Sequence, residues 1–390
     1  MKITNEFILG IDICDKFSQV SYYDVKTQTA ESVPLAGNVM ILKNPISLAV
    51  IFENTQQGLP IQMNDLTNLV RYLLEGAKKF KNISEVDKIC VTVEDFNITL
   101  LDALKSVFSG LGYNADRLSF ISHEESYAYY AFSMKKELWS GGVLLLDYSN
   151  KGITAFHLTN FKIKSNDVIV EECQIFEDDA LLQVIKGEKE KALEEVDERL
   201  VEIVKQLMNG KVISSIYLTG AGFDTDHLPS GFLKFICSRQ RVFVGQNLYV
   251  KGACIAASEE VVATKYINTI FACKNRITTG IEMEIVERGK NRMLRIVKPG
   301  TNWYEAGRTL NFIVDDCNEI RLKMNPVAGK EQYEEMIDLS EFPYRTDKTT
   351  RIKMGFEFTA DDRCLVTVKD KGFGDIVRSS GKVIYKNLKI

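Results

Sequence analysis

The sequence predicts an α/β domain over residues 1–270 and an all-β sandwich over residues 275–390. Up to about residue 270, short apolar runs alternate with amphipathic stretches, which is typical of strands alternating with helices. Beyond residues 270–277, apolar and polar residues alternate, and Asp, Asn, Gly and Pro separate the runs. With 390 residues the chain is long enough for two hydrophobic cores, because single cores stop growing near ~250–300 residues.

The elements of the first domain follow from two patterns. Apolar runs predict strands at 7–14, 19–25, 86–93, 141–148, 153–158 and 212–220. Stripes of apolar residues at helical spacing predict helices at 64–80, 98–112 and 188–208. In the first of these helices, the stripe consists of Leu66, Leu69, Val70, Leu73, Leu74 and Ala77.

The second domain is predicted from strand-like alternation alone. The strands are MLRIVKPG (293–300), TLNFIVDD (309–316), EIRLKMN (319–325), RIKMGFEF (351–358), CLVTVKD (364–370) and KVIYK (382–386). Each run leaves one face apolar, as expected when two sheets pack against each other.

Composition excludes several classes of protein. The net charge is −4 and no basic stripe occurs, so we expect no nucleic-acid partner. No apolar run reaches the ~18–20 residues of a membrane span, and the first residues lack the features of a signal peptide, so we expect a cytoplasmic protein.

Cysteine and histidine spacing gives no metal signature. The eight cysteines are scattered without a C-x-x-C pair, which argues against zinc and against a disulfide framework. His123, His157 and His227 are isolated in the sequence, so they are interpreted as structural or surface residues. A transition-metal enzyme is therefore not expected.

Three motifs of the first domain point to a ligand site. Asp12 and Asp147 each lie where an apolar strand ends, and paired strand-end aspartates can organise a hydrated magnesium ion between nucleotide phosphates. A third strand runs into Gly220-Ala221-Gly222, a turn that lets the backbone approach a ligand closely.

These motifs, in this order, resemble the actin-like ATPase superfamily and most closely the DnaK-type heat-shock 70 chaperones. GIDICDKF and LLLDYSNKGITAF are similar to that family's two phosphate motifs, and IYLTGAGFDTDHLP with KGACIAAS to its adenosine motif. MIDLSEFPYRTDKTTRIKMGFEFTADDRCLVTVKDKGFG resembles its peptide-binding β-sandwich. The resemblance implies two βββαβα lobes of the actin-like, ribonuclease H-like kind, followed by a substrate-binding-like sandwich.

The resemblance also implies roles for individual residues. Asp12 and Asp147 match the magnesium-organising aspartates, Glu124 the water-orienting catalytic carboxylate, and Gly220 with Gly222 the adenosine turn. Each has a structural alternative: a strand-end aspartate often caps a turn, Glu124 could be a solvated acid at a helix start, and the glycines could serve the turn alone.

The chain departs from the family where phosphate would bind. Cys14, Asp15 and Lys16 follow Asp12 where the family has glycine and hydroxyl residues, and Tyr148–Lys151 replace a glycine-rich run. Side chains there obstruct the backbone approach that phosphate needs. The alternative is that Lys16 and Lys151 supply positive charge to an anion in place of the glycine amides. The stretches in which the family inserts its outer subdomains are short, so we expect these subdomains to be missing and the cleft to be shallow and open.

These departures favour a noncatalytic, chaperone-like interaction protein that binds ATP or ADP with magnesium weakly or not at all. The alternatives are an active ATP-hydrolysing switch using Asp12, Glu124 and Asp147, and an actin-like assembly module. The expected partner is a protein or an extended peptide. Trp303 and Tyr304, an aromatic pair in a sandwich loop, are the candidate anchors for it, with packing against the other domain as the alternative role.

Overall fold

The structure of the protein is a computed structural model. It describes residues 6–57, 59, 63–94, 96–149, 152–163, 166–185, 189–223, 228–262, 269–314, 318–327, 331–345 and 348–390. The chain forms two compact units. The N-terminal unit contains the chain up to Phe161 and Ile169–Thr269, and the C-terminal unit contains Lys162–Val168 and Ile270–Ile390.

The first sheet of the N-terminal unit begins with an antiparallel meander and continues with parallel strands. Its strands are β1 (Ile8–Ile13), β2 (Phe17–Asp24), β3 (Thr29–Ser32), β4 (Leu42–Lys43), β5 (Lys88–Val93) and β6 (Leu118–Ser122). The order is β3-β2-β1-β5-β6, with β1, β5 and β6 parallel and β4 paired with β2. Its helices are α1 (Ile46–Gln57), α2 (Met63–Lys81), α3 (Ile98–Gly110) and α4 (His123–Ser133).

The second sheet repeats this plan. Its strands are β7 (Val143–Ser149), β8 (Gly152–Ile163), β9 (Asn166–Phe176), β10 (Ser215–Thr219) and β11 (Arg241–Val244), in the order β11-β10-β7-β8-β9. Strands β7, β10 and β11 run parallel. The helices that follow are α5 (Asp179–Ile185), α6 (Lys189–Met208), α7 (Ser230–Cys237) and α8 (Leu248–Glu259). Both sheets are therefore mixed α/β sheets that fit an actin-like fold. With β4 set aside and the pairs α1–α2 and α5–α6 each counted once, both follow the order βββαβαβα, which is one strand and one helix longer than the predicted βββαβα.

The predicted apolar patterns are confirmed in this unit. All six residues of the predicted stripe on α2 are buried, and every residue of β1 and β5 is buried. Asn97 caps α3, because its side-chain oxygen accepts a hydrogen bond from the Leu100 N–H at 2.9 Å.

Helix α8 lies very close to its neighbours because glycines remove side chains at the contacts. A Cβ on Gly252 would collide with the Ser126 carbonyl of α4, and one on Gly10 would collide with the backbone of Val250 and Cys254. The Ser126 hydroxyl donates a hydrogen bond to the Tyr249 carbonyl. These contacts hold the first turn of α8 beside the end of β1.

The C-terminal unit is a β-sandwich, preceded by β12 (Thr269–Ala272). Its strands are β13 (Thr279–Glu287), β14 (Lys290–Val297), β15 (Arg308–Val314), β16 (Glu319–Pro326), β17 (Tyr333–Asp338), β18 (Thr350–Ala360), β19 (Arg363–Asp370) and β20 (Val383–Lys389). They form two four-stranded antiparallel sheets, β14-β13-β16-β17 and β15-β18-β19-β20. Side chains of both sheets, including Leu322 and Phe356, share one core. No helix among the described residues is long and apolar enough to cross a membrane.

Candidate functional site

A cavity of about 590 Å³ lies in the N-terminal unit, where the ends of parallel strands from both sheets converge. Its size is within the roughly 300–1,000 Å³ of ordinary small-molecule sites. Helix α1 supplies Ala49 and Phe52 to its wall, and Phe17 and Ile41 add further apolar surface. Helix α1, which the sequence analysis did not assign, forms part of this wall.

The residues described next, at the floor of the cavity, lie at or just after the ends of strands. Asp12 is the second-last residue of β1, Glu94 directly follows β5, and His123 directly follows β6. Asp147 lies near the end of β7 and Gly220 follows β10. Because parallel strands end at the same edge of a sheet, this topology gathers side chains that are far apart in sequence.

Asp12 is hydrogen-bonded by two side chains of the same unit. Its Oδ1 atom lies 2.8 Å from Nε2 of His123 and accepts a hydrogen bond from the Cys14 thiol at 3.3 Å. Asp12 and His123 are buried, with 4% and 7% of their surface exposed. Ser122 caps α4 by accepting from the Glu125 N–H, which fixes His123 in the first turn of that helix. His123 therefore lies at the cavity floor in contact with Asp12, a position that its sequence neighbours did not indicate.

Asp147 is held from the other side by Tyr249. The Tyr249 hydroxyl donates a hydrogen bond to Oδ2 of Asp147 at 2.7 Å, and the Tyr249 ring stacks on the His123 ring with centroids 3.9 Å apart and planes 8° apart. One continuous set of contacts thus joins Asp12, His123, Tyr249 and Asp147. Both strand-end aspartates are bonded to protein side chains.

Burial and like charges shift the pKa values of these groups. Burial disfavours the charged form of His123, but the charge of Asp12 and its hydrogen bond outweigh this, so the pKa of His123 is raised. Burial raises the pKa of Asp147, and the hydrogen bond from Tyr249 offsets only part of that rise. Burial and then the nearby Asp12 raise the pKa of the Cys14 thiol well above its usual value.

The charges around the cavity are unbalanced. Among the described residues that line it, one is a lysine, Lys16, and five are carboxylic acids: Asp12, Asp15, Glu53, Glu94 and Asp147. Such a lining attracts cations and repels anions, and the effect is strengthened where the groups are withdrawn from water.

The turn that follows Asp12 is closed on itself. The Cys14 N–H donates to the Phe17 carbonyl at 3.0 Å. The carbonyls of Cys14 and Lys16 each accept a hydrogen bond from Asn44, one from its side chain and one from its backbone, both at 2.7 Å. Lys16 is exposed and lines the cavity. Lys151, the other lysine considered for phosphate binding, lies outside the described residues.

The glycine turn after β10 fits its protein neighbours tightly. Gly220 has φ +93°, and a Cβ there would collide with the Tyr148 carbonyl. A Cβ on Gly222 would collide with the Tyr148 ring. The backbone N–H and C=O of Gly220 are both bonded to the side-chain amide of Gln246, each at 3.0 Å. Packing alone therefore requires glycine at both positions. This is the structural role that was considered as the alternative to adenosine binding.

Glu124 is half-buried in the first turn of α4. Glu124 is not among the described residues that line the cavity. His123, from the same turn, and Glu94, which follows β5, do line it. The residues that sequence reasoning missed are His123, Glu94, Cys14 as a donor, Gln246 and Tyr249. His123 and Glu94 carry the same strand-end signal that identified Asp12 and Asp147.

Trp303 and Tyr304 lie in a short 3-10 turn of the C-terminal unit. Their rings meet edge to face with centroids 6.0 Å apart, and Trp303 packs against the core of the sandwich. With Arg308, Phe356 and Phe358 they line a surface depression of about 320 Å³. Trp303 is thus anchored within its own unit.

The fold and the site define an α/β protein with two mixed α/β sheets and a carboxylate-lined cavity, followed by a β-sandwich. Residues 52–274 match the model of a family described as "Family of unknown function (DUF5716) C-terminal", and the chain belongs to that family. Residues 276–390 match a "Domain of unknown function (DUF8552)".

Comparisons with other proteins add little. No curated protein matches the chain. Among solved structures, ethanolamine utilization protein EutJ from Carboxydothermus hydrogenoformans is similar to it with 12% sequence identity and a TM-score of 0.43, over 66% of this chain and 92% of that one. The likeness is too distant to carry an argument about this chain. The specific resemblance to DnaK-type chaperones stays a prediction.

Proposed function

We propose that this protein is a noncatalytic binding protein built on an ATPase-type α/β unit, and that it binds ATP or ADP with magnesium weakly or not at all. The observation that carries the proposal is the occupation of both strand-end aspartates by protein groups. Asp12 is bonded to His123 and Cys14, and Asp147 is bonded to Tyr249.

Magnesium bound to a nucleotide does not fit these residues. Mg²⁺ requires oxygen ligands in near-octahedral geometry and usually keeps several of its waters. One oxygen of each aspartate already accepts a hydrogen bond from a protein side chain, Oδ1 of Asp12 from His123 and Oδ2 of Asp147 from Tyr249, and is less available to such waters.

The surroundings also disfavour phosphate. The Cys14 N–H, the first of the turn after β1, is bonded to the Phe17 carbonyl, and the described residues around the cavity include five carboxylic acids and one lysine. A polyphosphate would meet repulsion where P-loop-type sites offer backbone N–H groups and positive charge.

Titration calorimetry of the full chain with Mg²⁺–ATP and Mg²⁺–ADP tests this proposal, together with an assay of phosphate release. We expect no binding tighter than about 1 μM, which corresponds to about −8 kcal/mol. Tighter binding that is lost in Asp12→Asn and Asp147→Asn, or phosphate release that Glu124→Gln abolishes, would instead support the ATP-hydrolysing switch.

We further propose a chaperone-like role in which the C-terminal unit binds an extended peptide. The support is the depression lined by Trp303, Tyr304 and Arg308. Phe356 and Phe358 also line it, but both are buried in the core of the sandwich. The strands at the sheet edges, β14, β15, β17 and β20, also offer main-chain groups to an added strand.

Tryptophan fluorescence can test peptide binding in the full chain. The chain has two tryptophans, so Trp139→Phe leaves Trp303 as the reporter. In that background, titration with extended apolar peptides should change the emission of Trp303, and Tyr304→Ala should weaken binding at least about tenfold, or about 1.4 kcal/mol. Binding of the same peptides with unchanged affinity by Tyr304→Ala would place the peptide surface elsewhere.

A further inference from the structure

Three donor atoms of different chemistry converge at the floor of the cavity. The Cys14 Sγ lies 3.3 Å from Oδ1 of Asp12 and 3.6 Å from Nε2 of His123, and those two atoms are 2.8 Å apart. The three side chains come from the end of β1, the turn after it and the start of α4. Their ligand atoms all lie within 4.8 Å of one another.

This convergence is not the geometry of a nucleophile and its base. A Cys–His–Asp relay uses both ring nitrogens, because the thiol faces one and the carboxylate orients the ring through the other. Here Cys14 and Asp12 approach the same nitrogen, Nε2 of His123. Three donor atoms that point to one place are the arrangement of a metal site.

The distances suit a tetrahedral ion. Bonds of ~2.3 Å to sulfur and ~2.0–2.2 Å to nitrogen and oxygen place tetrahedral ligand atoms roughly 3.3–3.6 Å apart. The two distances from the Cys14 sulfur lie in that range, and the distance between Asp12 and His123 is shorter by about 0.5 Å. An ion at ordinary bond lengths from all three atoms lies just off the plane that they define.

The surroundings favour a cation and hold its ligands in place. Glu94 and Asp147 also line the cavity and add negative charge close to His123. The Tyr249 ring stacks on the His123 ring and restricts its orientation.

We propose that Asp12, Cys14 and His123 bind a divalent transition-metal ion of the zinc class, with a fourth coordination position open to the cavity. Thiolate and imidazole select such an ion over magnesium, and three protein ligands with one open position are typical of reactive rather than purely structural zinc sites. This inference goes beyond the noncatalytic role proposed above and does not depend on it. It reverses the expectation that the sequence contains no transition-metal site, because the ligands Cys14 and His123 are 109 residues apart.

Zinc titration of the metal-stripped full chain tests the proposal, with a chromophoric chelator as competitor. We expect one Zn²⁺ per chain. Each of Cys14→Ser, His123→Gln and Asp12→Asn should weaken Zn²⁺ binding at least about 100-fold. Loss of a residue that only supports a ligand typically weakens binding by about 10–100-fold. Cys237→Ser and His157→Gln are matched controls, and we expect both to bind Zn²⁺ like the wild type. Cys237 is an exposed cysteine of α7, and His157 is a buried histidine bonded to Lys211.

Cobalt supplies a readout of the ligands themselves. Co²⁺ in the same site should show tetrahedral d–d absorption with a thiolate charge-transfer band, and Cys14→Ser should lose that band while Cys237→Ser keeps it. Circular dichroism shows which variants fold, so that if Cys14→Ser unfolds, His123→Gln and Asp12→Asn decide. Absence of micromolar or tighter Zn²⁺ binding by the wild type would overturn the proposal, and so would equal Zn²⁺ affinity in all folded variants.

Discussion

Two aspartates near strand ends, the buried Asp370 in the sandwich and the half-buried Asp147 at the cavity, have opposite surroundings. Asp370 is fully buried and receives both Nη atoms of Arg345 at 2.7 Å, the Gly372 N–H at 2.9 Å and the Ser380 N–H at 2.6 Å. Asp147 receives the Tyr249 hydroxyl, and the charges of Asp12 and Glu94 are close to it.

The pKa values of these two aspartates move in opposite directions. Burial alone would raise the pKa of Asp370, but the hydrogen bonds from Arg345, Ser380 and Gly372 outweigh it and hold that pKa far below its usual value. Burial raises the pKa of Asp147 instead. Removing one partner of a buried, hydrogen-bonded ion pair is costly, whereas clustered carboxylates with shifted pKa values mark a candidate functional site. Three of the following predictions test that contrast, and the Gly220→Ala prediction tests the turn that packs beside Asp147.

The largest effect is expected from Asp370→Asn. Removing this charge leaves the Arg345 guanidinium buried without its partner, which costs about 3–5 kcal/mol of the free energy of unfolding. Denaturant unfolding read by Trp303 fluorescence in the Trp139→Phe background measures it. Asp375→Asn, an exposed aspartate of the same unit, should change stability by less than about 0.5 kcal/mol. A comparable loss in both variants would show that the Arg345 pair is not responsible.

Gly220→Ala should have the next largest effect, about 2–3 kcal/mol. The substitution forces alanine into φ +93° and drives its Cβ into the Tyr148 carbonyl. Gly210→Ala is the matched control, because Gly210 also has a positive φ, +69°, but its added Cβ meets no atom within 4 Å. Gly210→Ala should therefore cost only the backbone strain of about 1–2 kcal/mol. Equal losses in thermal melts of the two variants would remove the steric argument for Gly220.

Lowering the pH should reduce the free energy of unfolding of the sandwich, because Asp370 becomes protonated. This loss should be smaller than the loss that Asp370→Asn causes near neutral pH. A carboxyl whose pKa is lowered in the folded state stabilises the fold above its unfolded pKa of ~3.9 and loses that contribution as pH falls toward the folded pKa. The midpoint of unfolding read at Trp303 should thus fall as pH is lowered below about 4. In Arg345→Met, which removes the cation, this dependence should be shallower; an unchanged slope would assign the acid sensitivity to other carboxyls.

The smallest effect is expected from Asp147→Asn, the same chemical change as in Asp370→Asn. An asparagine oxygen can still accept the hydrogen bond from Tyr249, and a buried charge near Asp12 and Glu94 is removed. Stability should stay unchanged or rise by up to about 1 kcal/mol. The melt is read at Trp139 in the Trp303→Phe background. A loss of 2 kcal/mol or more, by the scale of buried-pair losses, would make Asp147 a structural residue like Asp370.

Sequence patterns predicted most of the architecture because strands buried on both faces and amphipathic helices leave strong local signals. The segments at α1 and β9 were not assigned. The ISLAVIF of α1 is a short apolar run that does not separate helix from strand, and VIVEECQIF in β9 mixes apolar and charged residues without a clean period. Because α1 forms part of the cavity wall, the shape of the cavity could not be derived either.

The candidate site was predicted in part for the same reason. Asp12 and Asp147 were identified because each ends a strongly apolar strand. His123 was judged from its sequence neighbours, yet its contacts come from β1, 111 residues away, and from the first turn of α8. Long-range pairing of this kind depends on strand order, which a residue pattern does not specify by itself.

The close packing of α8 has a consequence for how the cavity meets a ligand. Gly252 against Ser126 and Gly10 against Cys254 leave no space between backbones, and the side chain of Tyr249 at the start of the same helix reaches Asp147. These collisions fix α8 against β1 and α4, so that Tyr249 is already in place beside His123 and Asp147 before anything binds. A pre-organised receptor loses little conformational entropy on association, and selectivity then follows from size and shape more than from adaptation.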